Sequence, residues 1–266
     1  MKNILKIMMV ALMVTTLAAC SKSDAQKSYD SAVEQYQKRG KALDNQVSEL
    51  NKIIDKGGEP LYQEDLDNAL TAVKEVEKER YKIPEMAKED AEIEKQAKEI
   101  ESVNYDKTIT NLKKLGKSLE DSRKKYKLVT NPKEDYIIKK ISTVEHVNIV
   151  RAVTEDNDPN GKLNKAGGYT ATVYFYSDYV SESKLLEKKT EVIENGTAGG
   201  GSIEVYASVE NANKRNEYLA SFDGSALSTG SHSVFGTCVV RISDKMTATQ
   251  QKELTKALVD ALTKLN

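Results

Sequence analysis

The sequence predicts an α+β protein: an N-terminal antiparallel helical bundle of three to four helices, then a small two-layer α+β domain with a four-stranded mixed sheet. Three observations carry this. Apolar residues step alternately by four and three through the first half, the spacing of a helix seam. Gly and Pro breaks cut that pattern into segments with short connections. Beyond residue 130 the period shortens to two in several β-branched and aromatic runs. Composition agrees. Of 266 residues 30% are charged and only 6% aromatic, with no Trp, which favours long polar helices over one large core. A net charge of -1, with no basic stripe, argues against a nucleic-acid partner.

Residues 1–19 read as a leader. Lys2 and Lys6 precede an uncharged, mostly apolar run from Ile7 to Ala19. That run is shorter than the roughly 20 residues of a membrane span and suits a signal peptide. It ends Leu-Ala-Ala-Cys, which resembles the lipobox of bacterial lipoproteins. The resemblance implies cleavage before Cys20 and acylation of its thiol. Two or more chains would then hold the protein on the outer face of the cell membrane. The expected partners are thus the membrane, through the lipid, and an envelope or extracellular component. A disulfide from Cys20 to Cys238, the other cysteine, competes with that use.

Residues 20–130 form the helical region. The first seam runs Tyr29, Val33, Tyr36, Leu43, Val47, Leu50 and Ile54, and "KGGEP" ends it. The second uses Tyr62, Leu66, Ala69, Val73 and Val76, until Pro84 breaks "YKIPEM" for want of an amide hydrogen. A shorter segment, 86–101, carries Ile93, Ala97 and Ile100. The last carries Tyr105, Ile109, Leu112, Leu119 and Tyr126 before "TNPKED". Each stripe covers about two positions in seven, so no helix buries itself alone. The short connections favour partners within the chain; self-association through the same seams is the competing use.

Residues 131–266 form the second domain, with elements expected in the order α-β-β-α-β-α-β-α. "YTATVYFYS" alternates strictly, placing Ala171, Val173 and Phe175 on one face and Thr170, Thr172, Tyr174 and Tyr176 on the other. "GSIEVYAS" turns Ile203 and Val205 inward and Glu204 and Tyr206 outward. "SESKLLEKKTEVIE" is expected to be partly helical, and "SHSVFGTCVVRIS" a single strand. Thr247 and Gln250 have capping-box spacing before the last helix. Strands joined through helices would run parallel by right-handed crossovers. The glycine-bearing loops 154–168, 195–202 and 223–231 would then gather at one end of the sheet.

Four stretches, "VTEDNDPNGKLNKAGGYTATVYF", "GGGSIEVYASVENANKRNEYLASFDG", "TGSHSVFGTCVVRIS" and "TATQQKEL", resemble the C-terminal module of surface lipoproteins of Gram-positive bacteria. "IPEM" and "YKLVTNP" extend the likeness into the helical region. The resemblance implies a cell-surface protein with a helical N-terminal part and supplies no catalytic residue.

The candidate sites follow from chemistry. The loop at 154 opens D-x-D-x-N-G, as calcium loops do, with Asp156, Asp158 and Asn160 as oxygen ligands. The closing carboxylate is missing, since Gly167 stands at position 12, and Pro159 interrupts; Asp and Asn favour turns in any case. Calcium is the one cofactor the sequence suggests. The same loop, with Asp223, makes a candidate loop site. The outward face bearing Tyr174, Tyr176, Tyr206 and Arg241 is the candidate binding face, because Tyr and Arg dominate binding hot spots; docking on the helical region or plain solvation is the competing reading, since strands favour Tyr in any case. Cys238, His232, His146 and Asp223 alone resemble a nucleophilic set, but Cys238 falls in phase with apolar strand positions, where cysteine is a small hydrophobe. The expectation is a non-enzymatic lipid-anchored binding protein; an envelope enzyme or a solute receptor is the alternative.

Overall fold

The computed structural model describes residues 22–181, 183, 185, 191–225 and 228–265. The leader, the lipidation site Cys20 and half of the segment 181–194, expected to be partly helical, lie outside the described residues. The elements run α1 (Asp24–Asp55), α2 (Gln63–Glu79), α3 (Asp90–Ser102), α4 (Asp106–Leu128), α5 (Glu134–Ile141), β1 (Val147–Ala152), β2 (Tyr169–Ser177), β3 (Gly200–Tyr206), α6 (Val209–Ala220), β4 (Gly230–Phe235), β5 (Cys238–Ser243) and α7 (Ala248–Leu262). An N-terminal helical region thus precedes a sheet-bearing region.

The chain forms two compact units. One contains residues up to Asn45 together with Glu79–Ile109. Its core joins Tyr29 and Ala32 of α1 to Ile93, Ala97 and Ile100 of α3. The non-helical stretch around Pro84 has carbonyls that no helix satisfies. The Tyr36 hydroxyl donates to the Tyr81 carbonyl at 2.7 Å and the Tyr29 hydroxyl to that of Pro84. Seam tyrosines therefore do two jobs: their rings pack and their hydroxyls close the backbone account.

The other unit contains Gln46–Lys78 and Thr110–Asn266. In its helical part Leu50, Ala69, Val76, Leu112 and Leu119 are buried. Arg123, 9% exposed, donates to the carbonyls of Ile53, Ile54 and Gly58 at and just beyond the end of α1. A cation there meets both the orphan carbonyls and the negative end of the helix dipole.

The sheet has five strands in the order β1-β2-β3-β5-β4, and every neighbouring pair is antiparallel. This corrects the four-stranded mixed sheet. The run expected as one strand folds at Gly236, with Phe235 opposite Cys238. Gly236 has φ of 59° while Thr237 has none of positive sign, the pattern of a two-residue II′ hairpin. Helix α6 returns the chain, the hairpin reverses it again, and β5 therefore reaches β3 antiparallel. The gathering of three loops fails because β3 runs antiparallel to β2. Tyr169 pairs with Tyr206, whereas Tyr176 pairs with Gly200, so loop 154–168 lies at the opposite end of β2 from the start of β3. Gly230 pairs with Ser243 and Gly201 with Ile242, so loops 195–202 and 223–231 do share an end.

Helices cover both faces, giving three layers where two were expected. Val173, Phe175, Ile203, Val205, Val240 and Ile242 pack with α5 and α7 in the main apolar core. Each such side chain contributes about 1.5–3 kcal/mol on burial. On the other face Tyr169, Tyr206 and Val239 pack with Ala212 and Leu219 of α6. Beside them Tyr174 packs with Val192 and Ile193 from the turns that precede β3. The glycines of "GGGS" serve this packing. A Cβ on Gly199 would meet the Tyr176 ring at 2.3 Å, and one on Gly201 the Phe175 ring at 2.6 Å.

Candidate functional site

The tyrosine face is covered, so the candidate binding face is interior. Tyr174 is 2% exposed, Tyr206 3% and Arg241 8%, and only Tyr176 is half-buried. The cover is α6 and the loops.

At its centre lies Glu204, fully buried. Its Oε2 accepts from the Tyr206 hydroxyl at 2.8 Å and from Arg215 Nε at 2.8 Å. Its Oε1 accepts from Arg215 Nη2 at 3.0 Å and from Arg241 Nη1 at 2.8 Å. Two oxygens thus take four donors, and the carboxylate with its two guanidiniums carries one net positive charge. Burial works to raise the Glu204 pKa, but the hydrogen bonds and charges of Arg215 and Arg241 win and hold it below the ordinary value. Burial, then the neighbouring carboxylate, pushes the Tyr206 hydroxyl well above its ordinary value. Two further hydroxyls on this face, Thr172 and Ser202, are buried without a hydrogen-bond partner among the described residues.

Loop 154–168 folds onto one end of this face through Leu163, which packs against both α6-side clusters. Asp158 organises the loop. Its carboxylate accepts from the backbone N–H groups of Asn160 (3.0 Å), Lys162 (2.5 Å) and Leu163 (2.8 Å) and from the Tyr169 hydroxyl. Burial opposes ionisation here, and those hydrogen bonds overcome it, so the Asp158 pKa is lowered. Its lone pairs are taken by the loop itself, and the Asn160 amide is turned toward the Tyr169 and Tyr174 hydroxyls, at 3.4 and 3.5 Å. The D-x-D-x-N-G opening is a turn built on Asp158. Among the described residues no group of three or more His, Cys, Asp or Glu is placed to hold a metal ion.

Where this loop faces α6 there is a cleft of about 580 Å³, within the usual size of small-molecule sites. Asn160, Lys162 and Gly167 form the loop wall. Asn211, Lys214, Arg215 and Tyr218 form the helix wall, and Tyr169 and Tyr206 also line it. Ser208 caps α6, accepting from the Asn211 N–H at 3.2 Å, and this fixes where the helix wall begins. Tyr218 is 56% exposed. Its ring meets Phe222 edge-on at 5.1 Å between centroids and lies 5.5 Å from the Arg215 guanidinium. A second, more apolar cleft of about 530 Å³ runs between β4 and α7, with Tyr62, Phe235 and Val259 in its walls.

The remaining predicted residues are scattered. Asp223 meets His232 at 3.3 Å, at the other end of the sheet from Asp156, Asp158 and Asn160. His232 Nδ1 lies 2.7 Å from the Asn216 side-chain oxygen. Cys238 belongs to the α7-side core, where burial pushes its thiol up to about 12. His232, two positions from the α6-side Val234, faces away from it. His146 instead pairs with Asp178 at 2.7 Å. No Cys–His dyad forms among the described residues. The residues missed from sequence are Lys162, Lys214, Arg215 and Tyr218. The last three did carry a signal, since 211, 214, 215 and 218 are spaced to share one helix face. No family model, no curated protein and no solved structure matches this chain.

Proposed function

We propose that the chain is a lipid-anchored, non-enzymatic binding protein of the outer face of a Gram-positive cell membrane. The helical region, as an antiparallel bundle, links the anchored Cys20 to the sheet domain, and the cleft between loop 154–168 and α6 receives the ligand. The cleft is the observation that carries this reading. It joins three tyrosines, two lysines and an arginine over a charge network that is already satisfied, which suits recognition. Among the described residues the buried Cys238 stands apart from both histidines, so no cysteine has a histidine base at hand. The basic-apolar-Cys run supports the anchor, and no helix among the described residues is long and apolar enough to cross a membrane. Replacing Cys20 by Ala should release the protein into the medium; membrane association unchanged by C20A would refute the anchor. Purified envelope fragments should bind the soluble protein and lose that binding in Tyr218→Ala.

A further inference from the structure

We infer that the cleft takes a phosphate ester of a sugar or other cyclic polyol. The inference rests on the cleft being the binding site, as proposed above, and adds the ligand class. The cleft walls carry Lys162, Lys214 and Arg215 and no acidic residue. The nearby carboxylates are spent: Asp158 on its own loop, Glu204 on two arginines. Lys214 pairs with Glu210, at 2.7 Å with both side chains mostly exposed, a contact of little worth in water that a ligand can replace. Lys162 is exposed and has no ion pair among the described residues. An anion entering here therefore meets the ammonium of Lys162 directly and that of Lys214 in exchange for its exposed contact with Glu210.

The kind of anion follows from which cations remain. Arg215 gives Nε and Nη2 to Glu204, so its planar fork, the group best matched to a carboxylate, is occupied. What remains are two ammonium groups on flexible stems from opposite walls. These are point charges with rotating donors, suited to a tetrahedral oxyanion presenting oxygens in several directions. A carboxylate offers two oxygens in one plane and a single charge. The body of the ligand is set by the rest of the cleft. Tyr218 presents an exposed ring already held by Phe222 and Arg215, a platform for the apolar face of a sugar ring. Asn160 and Asn211 add amides, each with donors and an acceptor, for ring hydroxyls.

The test is calorimetric titration of the soluble protein (residues 21–266) in low-salt, phosphate-free buffer. The probes are glucose 1-phosphate, its methyl phosphodiester, glucuronate and glucose. Glucose 1-phosphate should bind at least tenfold more tightly than glucuronate or glucose. Lys162→Ala and Lys214→Ala should each weaken it about three- to tenfold without moving the thermal midpoint. The diester within about threefold of the monoester marks an in-chain phosphate of a polymer as the source; a larger loss marks a free or terminal monoester. Glucuronate binding as tightly as glucose 1-phosphate, or binding unchanged in both lysine variants, overturns the inference. If glucose or glucuronate is preferred and Tyr218→Ala abolishes it, the cleft remains a binding site and only the phosphate assignment falls. If none of the four probes binds, the inference falls, and the Tyr218→Ala envelope assay decides the binding reading separately.

Discussion

The two faces of the sheet are equally buried and differently made. The α7 side is a run of Val, Ile, Phe and Cys with no polar side chain at its centre. The α6 side buries Glu204, Arg241 and three tyrosines, with hydroxyls among them. An apolar face needs only shape and volume to hold. A polar face must satisfy every donor and acceptor, and in return it fixes the positions of its members. Here the fixed members include Arg215, Tyr169 and Tyr206, which line the cleft. The polar face is thus the side on which a site can be held rigidly.

Mutations can break this contrast. The largest effects should come from Glu204→Ala and Phe175→Ala. Glu204→Ala leaves the buried Arg241 and the partly buried Arg215 without a counter-charge, at a cost of about 3–5 kcal/mol; Phe175→Ala opens a cavity at a similar cost, about 3–5 kcal/mol. Urea unfolding at neutral pH should find both. Acid should separate them. Glu204 has a folded-state pKa below its unfolded value, so its contribution is complete above the unfolded pKa, about 4.3. It is lost as pH falls through the folded value. The gap between wild type and Glu204→Gln should therefore narrow as pH drops below about 4, while Phe175→Ala keeps its deficit. A gap independent of pH would mean that Glu204 is not held ionised by the arginines.

Smaller effects sharpen the comparison. Asp158→Ala removes the acceptor for three loop amides and the Tyr169 hydroxyl, and should cost about 1–2 kcal/mol. Thr172→Val and Ser202→Ala delete buried unpartnered hydroxyls and should be neutral or stabilise by up to about 1 kcal/mol; clear destabilisation would mean those hydroxyls are bonded. Cys238 should react with a disulfide reagent only as fast as the domain unfolds, because its thiol is buried and its pKa raised. Calcium up to about a millimolar, the weak end of known sites, should leave the thermal midpoint unmoved, since Asp158 is already committed to its loop.

The helices were legible because their seams repeat and Gly or Pro ends them; α1 runs Asp24–Asp55, as the break at "KGGEP" indicates. The alternation of β2 was legible too, and its two residue sets do face opposite sides. Period alone does not say what covers a face. Tyr174 and Tyr206 look outward in a two-layer sheet and are interior once Val192 and Ile193 cover the first and α6 the second. The hairpin was hidden because Gly236 and Thr237 interrupt a β-branched run by only two residues. The cleft was hidden because its walls come from residues about 50 positions apart, brought together by the antiparallel register. Leu163 was the readable clue, a lone apolar residue in a polar loop that had to dock somewhere.

The central claim is that the cleft on the α6 face is the working surface. Amide NMR of the soluble protein titrated with glucose 1-phosphate tests it most directly. Shifts should concentrate in residues 160–169 and 211–218 and leave β4 and α7 unchanged. Shifts confined to residues 231–235 and 251–260, around the second cleft, would contradict it.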